Sequence, residues 1–410
     1  MTSSPGAADP TTPAGPAAVP GLAEVPGLAG VGGLAGAGDL AGAGDLDLAG
    51  DVVELTAALV GIGSVSGAED AIATAVHRAL RVVEHLRVSR TGNVVVASTD
   101  AGREQRVVLA AHLDTVPPAD NTAVRRSVGP DGPEIGGLGS VDMKGGLAVA
   151  LHLAATLPDP ARDITVICYD CEEVEAARNG LGRLAATDPA LLAGDLAILL
   201  EPTGGLVEAG CQGSLQLRVH TTGRRAHTAR AWTGTNAIHA MAPLLSRIAA
   251  YRPARPVVDG LEYREGLQAV GVEGGVASNV VPDRCTLRVN FRYAPDRTPA
   301  EALAHVRDVL ATADGPAVAV EVVDDSPPAR PGLHSAIVRE LVAAAGTGVR
   351  AKYGWTDVSR FAALGIPAVN VGPGDPSRAH TPGEAVPEQQ VRDVEVGLRR
   401  FLAGDPTRLM

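Results

Sequence analysis

The stretch RVVLAAHLD, residues 106–114, gives the clearest indication of the fold. An unbroken apolar run, 107–111, is followed at once by the polar residues His112 and Asp114. A short continuous run of this kind is typical of a strand buried on both faces of a parallel sheet. The stretch DITVICYDCEE, residues 163–173, repeats the arrangement and predicts a second such strand.

Two further apolar runs, at 195–200 and 367–372, predict two more buried strands. Helical patterns separate the strands, for example at 51–60 and 145–157. Strands that alternate with helices predict an α/β domain with a mostly parallel sheet.

Residues 213–326 follow a different pattern. The segment SLQLRVH (214–220) alternates apolar and polar residues, as a strand with one exposed face does. The segments that follow complete the order β-α-β-β-α-β, which predicts a small ferredoxin-like α+β domain. Because the α/β pattern resumes afterwards, we predict that this unit is inserted into a larger domain made of 47–212 and 327–410.

The first residues of the chain have a separate character. The first 50 residues contain 12 Gly and 6 Pro and no Lys, Arg or aromatic residue. Such a segment buries too little apolar surface to offset its ordering entropy, so we predict that residues 1–46 are disordered. The segment lacks a basic start and a continuous apolar core, which argues against a secretory signal.

Composition excludes several classes of function. The 47 Asp and Glu residues outnumber 35 Lys and Arg, and aromatic residues make up 2% of the chain. A net charge of −12 and few stacking side chains argue against nucleic-acid binding. The sequence contains no long uninterrupted apolar stretch of the kind that predicts a membrane span.

The cysteines do not form a recognisable framework. Four cysteines in 410 residues are too few for a disulfide scaffold, which favours the reducing cytoplasm. Cys168 and Cys171 form a C-x-x-C, but no second one exists to complete a zinc site. We therefore interpret them as small buried residues.

Acidic residues and histidines follow the predicted strands at one sheet edge, where parallel strands place ligand sites. They are His112, Asp114, Glu172, Glu173, Glu201 and His380, with Asp142 before a helix. Taken alone, Asp142 could be a helix cap and 172–175 a solvated acidic run. Together, so many carboxylates are costly to bury unless cations neutralise them. The set suits Zn²⁺, Mn²⁺ or Co²⁺, and one Asp could bridge two ions.

Nine motifs carry this pattern in a fixed order along residues 51–404. They are AAHLDTVP (110–117), GLGSVDMKGG (137–146), DCEEVE (170–175), LLEPT (199–203), GRRAHTAR (223–230), ASNVVPD (277–283), NFRYAPDR (290–297), GWTDVSRF (354–361) and AHTPGE (379–384). Their order and spacing resemble the di-zinc carboxypeptidase, aminoacylase and deacetylase superfamily. Within it, 170–184 and 263–285 resemble succinyl-diaminopimelate desuccinylases of the actinobacterial type.

The resemblance implies a zinc-peptidase-like catalytic domain with two divalent metal ions, zinc being favoured and cobalt or manganese also suitable. It implies that His112 and Glu201 hold one metal, Glu173 and His380 the other, and Asp142 bridges them. Glu172 would be the general base. Asp114 would hydrogen-bond the His112 ring and orient it.

For residues 213–326 the resemblance implies a lid that also forms a homodimer. His227 would reach the active site of the partner subunit and stabilise the oxyanion there. Asn279 and Arg292 would bind substrate carboxylates.

The implied reaction is hydrolysis of N-succinyl-LL-2,6-diaminopimelate to succinate and LL-2,6-diaminopimelate, a step toward lysine and peptidoglycan. The substrate would be a small N-acyl amino acid, and the location cytoplasmic. An acetylornithine deacetylase, an aminoacylase or a di- or carboxypeptidase remains the alternative. Gln212, Arg230 and Trp355 depart from better-known desuccinylases at positions expected to line the cleft. A non-catalytic scaffold is disfavoured, because no expected ligand or base is missing.

Overall fold

The computed structural model describes residues 45–310 and 318–404. Of the segment for which disorder is predicted, residues 1–44 therefore lie outside the described residues. Within the described part, Leu46 and Leu48 are buried in the core, so the packed body begins by Leu46.

The helices and strands follow one another along the described chain in the alternation that the sequence predicts. The helices are α1 (Val52–Val60), α2 (Asp70–Leu80), α3 (Gly145–Thr156), α4 (Gly180–Thr187), α5 (Ala237–Ala250), α6 (Pro299–Leu310), α7 (Ala336–Ala345), α8 (Val358–Ala363) and α9 (Glu388–Ala403). The strands are β1 (Arg87–Thr91), β2 (Val94–Ser98), β3 (Arg106–His112), β4 (Arg125–Gly129), β5 (Gly132–Gly136), β6 (Asp163–Tyr169), β7 (Leu196–Leu199), β8 (Val207–Ala209), β9 (Gly213–Thr222), β10 (Val257–Val258), β11 (Leu261–Glu262), β12 (Gly266–Gly274), β13 (Arg284–Tyr293), β14 (Val318–Ser326), β15 (Val349–Ala351), β16 (Ala368–Asn370) and β17 (Ala385–Pro387).

An eight-stranded sheet forms the centre of the larger domain, in the order β1-β2-β6-β3-β7-β16-β8-β15. The neighbours β6, β3, β7 and β16 run parallel to one another. Antiparallel pairing occurs between β1, β2 and β6 and between β16 and β8. The predicted fold class, α/β with a mostly parallel sheet, is confirmed, and its parallel centre places four strand ends side by side.

Helices cover both faces of this sheet, which explains the continuous apolar runs. Alternate residues of β3 and β6 pack into one core with α1, α2, α3 and α9. The intervening residues pack into a second core with α4 and α8. Because every side chain in these strands has an apolar neighbour, a period-2 pattern is not needed.

A separate four-stranded antiparallel sheet, in the order β12-β13-β9-β14, occupies residues 213–326. α5 and α6 pack on one face of it around Phe291 and Met241. The other face explains the alternation in β9, where Gln216 and Arg218 are exposed between buried neighbours. Apart from the short strands β10 and β11, these elements follow the predicted order β-α-β-β-α-β.

A three-stranded sheet, β17-β5-β4, was not predicted from the sequence. It packs at the side of the larger domain and leads through β5 into the Ser140–Lys144 turn before α3. None of the helices in the described part of the chain is long and apolar enough to cross a membrane.

Candidate metal centre and active site

The carboxyl ends of three adjacent parallel strands bring most of the predicted metal ligands together. His112 ends β3, Glu172 and Glu173 follow β6, and Glu201 follows β7. His380 lies in the loop that precedes β17 and has a left-handed φ of 60°. The convergence is a direct result of strand order, since β3 lies between β6 and β7.

Asp142 lies at the middle of the cluster. Its Oδ1 is 3.0 Å from Nε2 of His112, and its Oδ2 is 3.4 Å from Nε2 of His380. The same nitrogen of His380 is 2.8 Å from Oε1 of Glu173. His112, Asp142 and Glu173 thus offer ligand atoms that all lie within 4.8 Å of one another. Asp142 is therefore the carboxylate that touches both histidines, the position that the resemblance assigns to a bridging ligand.

Asp142 reaches this position from an irregular turn, Ser140–Lys144, whose dihedral angles at 142 and 143 are not helical. The Asp142–Met143 peptide bond is cis. Asp142 therefore lies in a loop and does not cap α3, so the interpretation of this residue as a helix cap is excluded.

Asp114 supports the cluster differently from the prediction. The bond to Nδ1 of His112 is made by the main-chain oxygen of Asp114 at 3.0 Å, and the carboxylate Oδ1 is 3.6 Å away. The carboxylate instead accepts the backbone N–H groups of Glu172 and Glu173, at 3.0 and 3.1 Å, and the hydroxyl of Ser66 at 2.6 Å. The Asp114 carboxylate therefore fixes the loop after β6, and the main-chain oxygen of Asp114 orients the His112 ring.

The protein's own charges show that the cluster favours positive charge. Burial opposes ionisation of Asp142, but hydrogen bonds from His112 and His380 hold its pKa below the usual value. Hydrogen bonds to Asp142 and Glu173 raise the pKa of His380 to about 10. Burial would lower the pKa of His112, but Asp142 and Asp114 outweigh it and raise that pKa well above its usual value.

Glu201 and Glu172, the two other carboxylates of the site, have raised pKa values. Burial, reinforced by the charge of Asp142, raises the pKa of Glu201 to about 8. Burial also raises the pKa of Glu172 well above its usual value, with Glu201 adding to the shift against the opposing charge of His112. Crowded negative charge contributes to the raised pKa values of these two carboxylates and of both histidines. Bound divalent cations would neutralise that charge. The residues present therefore fit a metal centre of the predicted kind.

A cavity of about 480 Å³ adjoins the cluster, between the loop after β6 and the sheet of the inserted domain. Glu172, Glu173 and Asn179 line it from one side. Arg292 of β13 and Asp324 of β14 line it from the other side. A pocket of this size with charged groups on both walls suits a small polar substrate.

Two predicted residues of the inserted domain lie elsewhere. The described residues that line the cavity do not include His227 or Asn279. These two lie together on exposed loops, where the N–H of Thr228 donates to the main-chain oxygen of Asn279 at 3.0 Å. In this single chain they lie apart from the cavity, so the roles predicted for them remain predictions.

The three departures from better-known desuccinylases occupy different places. Only Trp355 of the three lines the cavity described here, with its Nε1 donating to the main-chain oxygen of Pro327 at 3.0 Å. Gln212 is buried and donates to the main-chain oxygen of Arg264 at 2.9 Å. Arg230 is exposed on the loop that follows His227. The expectation that all three line the cleft is therefore met by Trp355 alone in this chain.

Arg360 was missed by the sequence reasoning, although it lies in the quoted motif at 354–361. It lines the cavity, pairs with the buried carboxylate of Asp357 and lies 5.6 Å from the centre of the Trp355 ring. Asp357 in turn accepts a bond from Asn179 at 2.8 Å. This chain of contacts ties the guanidinium to the loop that carries Glu172.

A second acidic group, Glu69 with Asp170 and Cys171, is satisfied internally. Glu69 accepts the N–H of Gly67 at 2.7 Å and of Cys171 at 3.3 Å, and Asp170 pairs with Arg183 at 2.7 Å. Burial raises the pKa of the Cys171 thiol to about 11. We assign no site there, and all four cysteines of the chain, each within the described residues, are free and buried.

Comparison with known proteins identifies the family. The sequence profile of peptidase family M20/M25/M40 matches residues 108–403, which include every residue of the cluster. The chain belongs to this family. The eight-stranded sheet with its helices is thus the family's fold in this protein.

Curated relatives are similar over nearly their whole length. The putative succinyl-diaminopimelate desuccinylase DapE of Mycobacterium tuberculosis (strain CDC 1551 / Oshkosh) is 52% identical over 86% of this chain and 98% of its own. The succinyl-diaminopimelate desuccinylase of Corynebacterium glutamicum is 47% identical over 86% of this chain and 96% of its own.

Solved structures show the same fold at lower identity. A tripeptidase from Staphylococcus aureus has a TM-score of 0.70 at 23% identity, covering 88% of this chain and 99% of its own. An M20 family metallo-carboxypeptidase from Sulfolobus solfataricus has a TM-score of 0.66 at 17% identity, covering 86% of this chain and 99% of its own.

Proposed function

We propose that this protein is a metal-dependent amide hydrolase that cleaves N-succinyl-LL-2,6-diaminopimelate to succinate and LL-2,6-diaminopimelate. The observation that carries the chemistry is the position of Glu172, which lines the cavity directly beside the cluster of His112, Asp142 and Glu173. The substrate follows from the two relatives of 52% and 47% identity, both named for this reaction.

The proposed metal centre holds two divalent cations. His112 and Glu201 would bind one, Glu173 and His380 the other, and Asp142 both. Imidazole and carboxylate ligands favour Zn²⁺, and Co²⁺ or Mn²⁺ would also suit them. When bound, the cations would supply Lewis acidity to the amide carbonyl and to the attacking water.

Glu172 is the proposed proton carrier. Its carboxylate takes the proton of the attacking water and returns it to the departing amine nitrogen. Burial raises the pKa of Glu172 well above its usual value, which makes its carboxylate a stronger proton acceptor. The backbone bonds from Glu172 and Glu173 to Asp114 keep base and ligand on one rigid loop.

Substrate carboxylates are bound by guanidinium groups on the two walls of the cavity. Arg292 lies on the inserted domain and Arg360 on the larger domain. A planar guanidinium binds a carboxylate through two parallel bonds, which gives geometric selectivity as well as charge. An anionic succinyl group would be held better than an acetyl group, which favours the desuccinylase over the acetylornithine deacetylase alternative.

The substrate test uses protein stripped of metal and then titrated with Zn²⁺. Succinate release from N-succinyl-LL-2,6-diaminopimelate should rise with up to two equivalents of metal. Acetylornithine, N-acetyl amino acids and dipeptides form the comparison panel. Binding of two ions with turnover only of a panel substrate would overturn the substrate and leave the metal centre in place.

We also propose a cytoplasmic homodimer formed through the inserted domain, with His227 acting in the partner's active site. Mixing two inactive variants tests this directly. His227→Ala and Glu172→Gln dimers should each be inactive. After subunit exchange at equal amounts, about half of the dimers are hybrids with one complete site in two, so the mixture should recover roughly a quarter of wild-type activity. No recovery in confirmed hybrid dimers would show that His227 does not act across the interface.

A further inference from the structure

The carboxylate of Glu384 is buried beside the cluster but takes no part in the proposed reaction. Its residue is 1% exposed, although it carries an ionisable group. Its hydrogen bonds come from three backbone N–H groups of one loop. Oε2 accepts from Gly139 at 3.1 Å, and Oε1 accepts from Val141 at 2.9 Å and from Asp142 at 3.1 Å. The loop held in this way is the one that carries Asp142.

The backbone of Glu384 also bonds to the residues before the Asp142 loop and to the turn that presents His380. Its main-chain oxygen accepts the N–H of Gly137 at 3.1 Å, and its own N–H donates to the oxygen of Thr381 at 3.1 Å. Thr381 follows His380 directly. Glu384 is therefore bonded both to the loop of Asp142 and to the turn that presents His380.

These two segments have no regular secondary structure at the ligand positions. Asp142 lies in an irregular turn, and His380 lies in the loop before β17. His112, by contrast, ends β3 and is paired with Tyr169 of the neighbouring strand β6. The 3.4 Å separation of Asp142 and His380 thus depends on tertiary hydrogen bonds, and Glu384 supplies several of them.

The loop is shaped to deliver these donors. Gly139 has a φ of +78°, and a Cβ there would lie 2.6 Å from Cγ2 of Thr115. Only glycine fits such a position without strain. The N–H groups of Gly139, Val141 and Asp142 then point toward one carboxylate.

We propose that Glu384 is a positioning residue that sets the distance between Asp142 and His380 and thereby the affinity for the second divalent cation. The inference rests on the metal centre of the proposed function and not on its substrate. A carboxylate is needed because both of its oxygens accept. An amide in its place would turn an NH₂ group toward backbone donors.

The test measures metal binding in the absence of any substrate. Glu384→Gln should keep the affinity for the first equivalent of Zn²⁺ within a few-fold and weaken the second by roughly 10- to 100-fold, the usual effect of losing a group that supports a ligand. Glu384→Ala should weaken it further. The visible absorption spectrum of the Co²⁺-loaded protein should change at the second equivalent only.

Glu134→Gln is the matched control. Glu134 is also a buried carboxylate. Within the described residues its side chain bonds to Arg378 at 2.8 Å, just before His380, and to Ser127 at 3.0 Å, and not to the Asp142 loop. The control should bind both ions as the wild type does. Wild-type affinity for the second ion in both Glu384 variants would overturn the proposal. An equal loss in Glu134→Gln would also overturn it, since general loosening of the segment would then explain the effect. Failure to cleave the succinyl substrate would leave this result untouched.

Discussion

The strand-end cluster and the loops of the inserted domain differ in how they are held. His112 is 1% exposed, and the loop after β6 is fixed by two backbone bonds to Asp114. His227 and Asn279 lie on exposed loops whose described bonds stay within the inserted domain. Arg292 lies between these extremes, half-buried on β13 at the cavity wall. The predicted metal ligands are thus fixed on a buried sheet edge, whereas the loops of His227 and Asn279 are held only by bonds within the inserted domain.

The largest effect is expected at Glu172. Glu172→Gln keeps the size of the side chain but removes the proton acceptor, so kcat should fall by roughly 10²- to 10⁴-fold. The affinity for two equivalents of metal should not change, because Glu173 and not Glu172 touches His380. Steady-state kinetics and metal analysis of the same preparation check both points. Full turnover in this variant would remove Glu172 from the mechanism.

A smaller effect of a different kind is expected at the cavity wall of the inserted domain. Arg292→Lys keeps the charge but loses two-point binding of a carboxylate, so KM should rise by roughly 10- to 100-fold while kcat changes little. Arg288→Lys, on the same strand but exposed and near Glu273, is the control and should match the wild type. If Arg292→Lys instead lowers kcat alone, Arg292 acts on the chemical step, and its proposed role in binding a substrate carboxylate is wrong.

The opposite edge of the same sheet should affect stability without affecting catalysis. Asp163 begins β6 and is 3% exposed. Its carboxylate accepts the hydroxyl of Thr99 at 2.8 Å and the N–H groups of Ala101 and Arg103 at 2.8 and 2.9 Å. Asp163→Asn should lower the free energy of unfolding by about 1–3 kcal/mol, since an amide cannot accept all three bonds. Urea unfolding at pH 7 checks this, with Asp195→Asn, an exposed residue at the same edge, as a control that loses less.

The pH dependence of Asp163 has a definite sign. Burial opposes its ionisation, but the backbone bonds of Ala101 and Arg103 outweigh this and lower its pKa below 3.8. Its stabilising contribution is therefore complete above pH 3.8 and is lost as the pH falls through the lowered folded-state value. The stability difference between wild type and Asp163→Asn should be constant from about pH 7 to pH 5 and shrink below about pH 4. A difference that grows in acid would contradict the assignment.

The sequence predicted the buried regions best. β3 and β6 lie within the two stretches that predict buried strands, because a continuous apolar run between polar residues marks both ends of a strand buried on two faces. The sheet formed by β4, β5 and β17 was missed, since β4 is exposed and β17 is three residues long, so neither leaves a local pattern. Pairing of β17 with β5 joins distant parts of the chain, which no local periodicity reveals.

The same limit applies to the site. Strand ends predicted which residues meet, because neighbouring parallel strands must end at one edge. They did not predict that the Asp114 carboxylate binds the backbone after β6, since that contact depends on the distance between two strand ends. Arg360 and Glu384 lie within two of the quoted motifs. The sequence marks each of them only as a charged residue in its motif. Their partners, Asp357 and the Asp142 loop, became visible only in three dimensions.

The smallest effect is expected at the start of α5, inside the inserted domain. The side chain of Asn236 caps this helix by accepting the N–H groups of Ile238 at 2.8 Å and His239 at 3.2 Å. Asn236→Ala should lower the free energy of unfolding by about 0.5–2 kcal/mol, whereas Asn236→Asp should keep most of the wild-type stability. Amide hydrogen exchange should locate the loss in α5, and the affinity for both metal ions should stay at the wild-type value. A weakened metal affinity in Asn236→Ala would show that the helix is coupled to the cluster, and the two regions would then have to be treated as one cooperative unit.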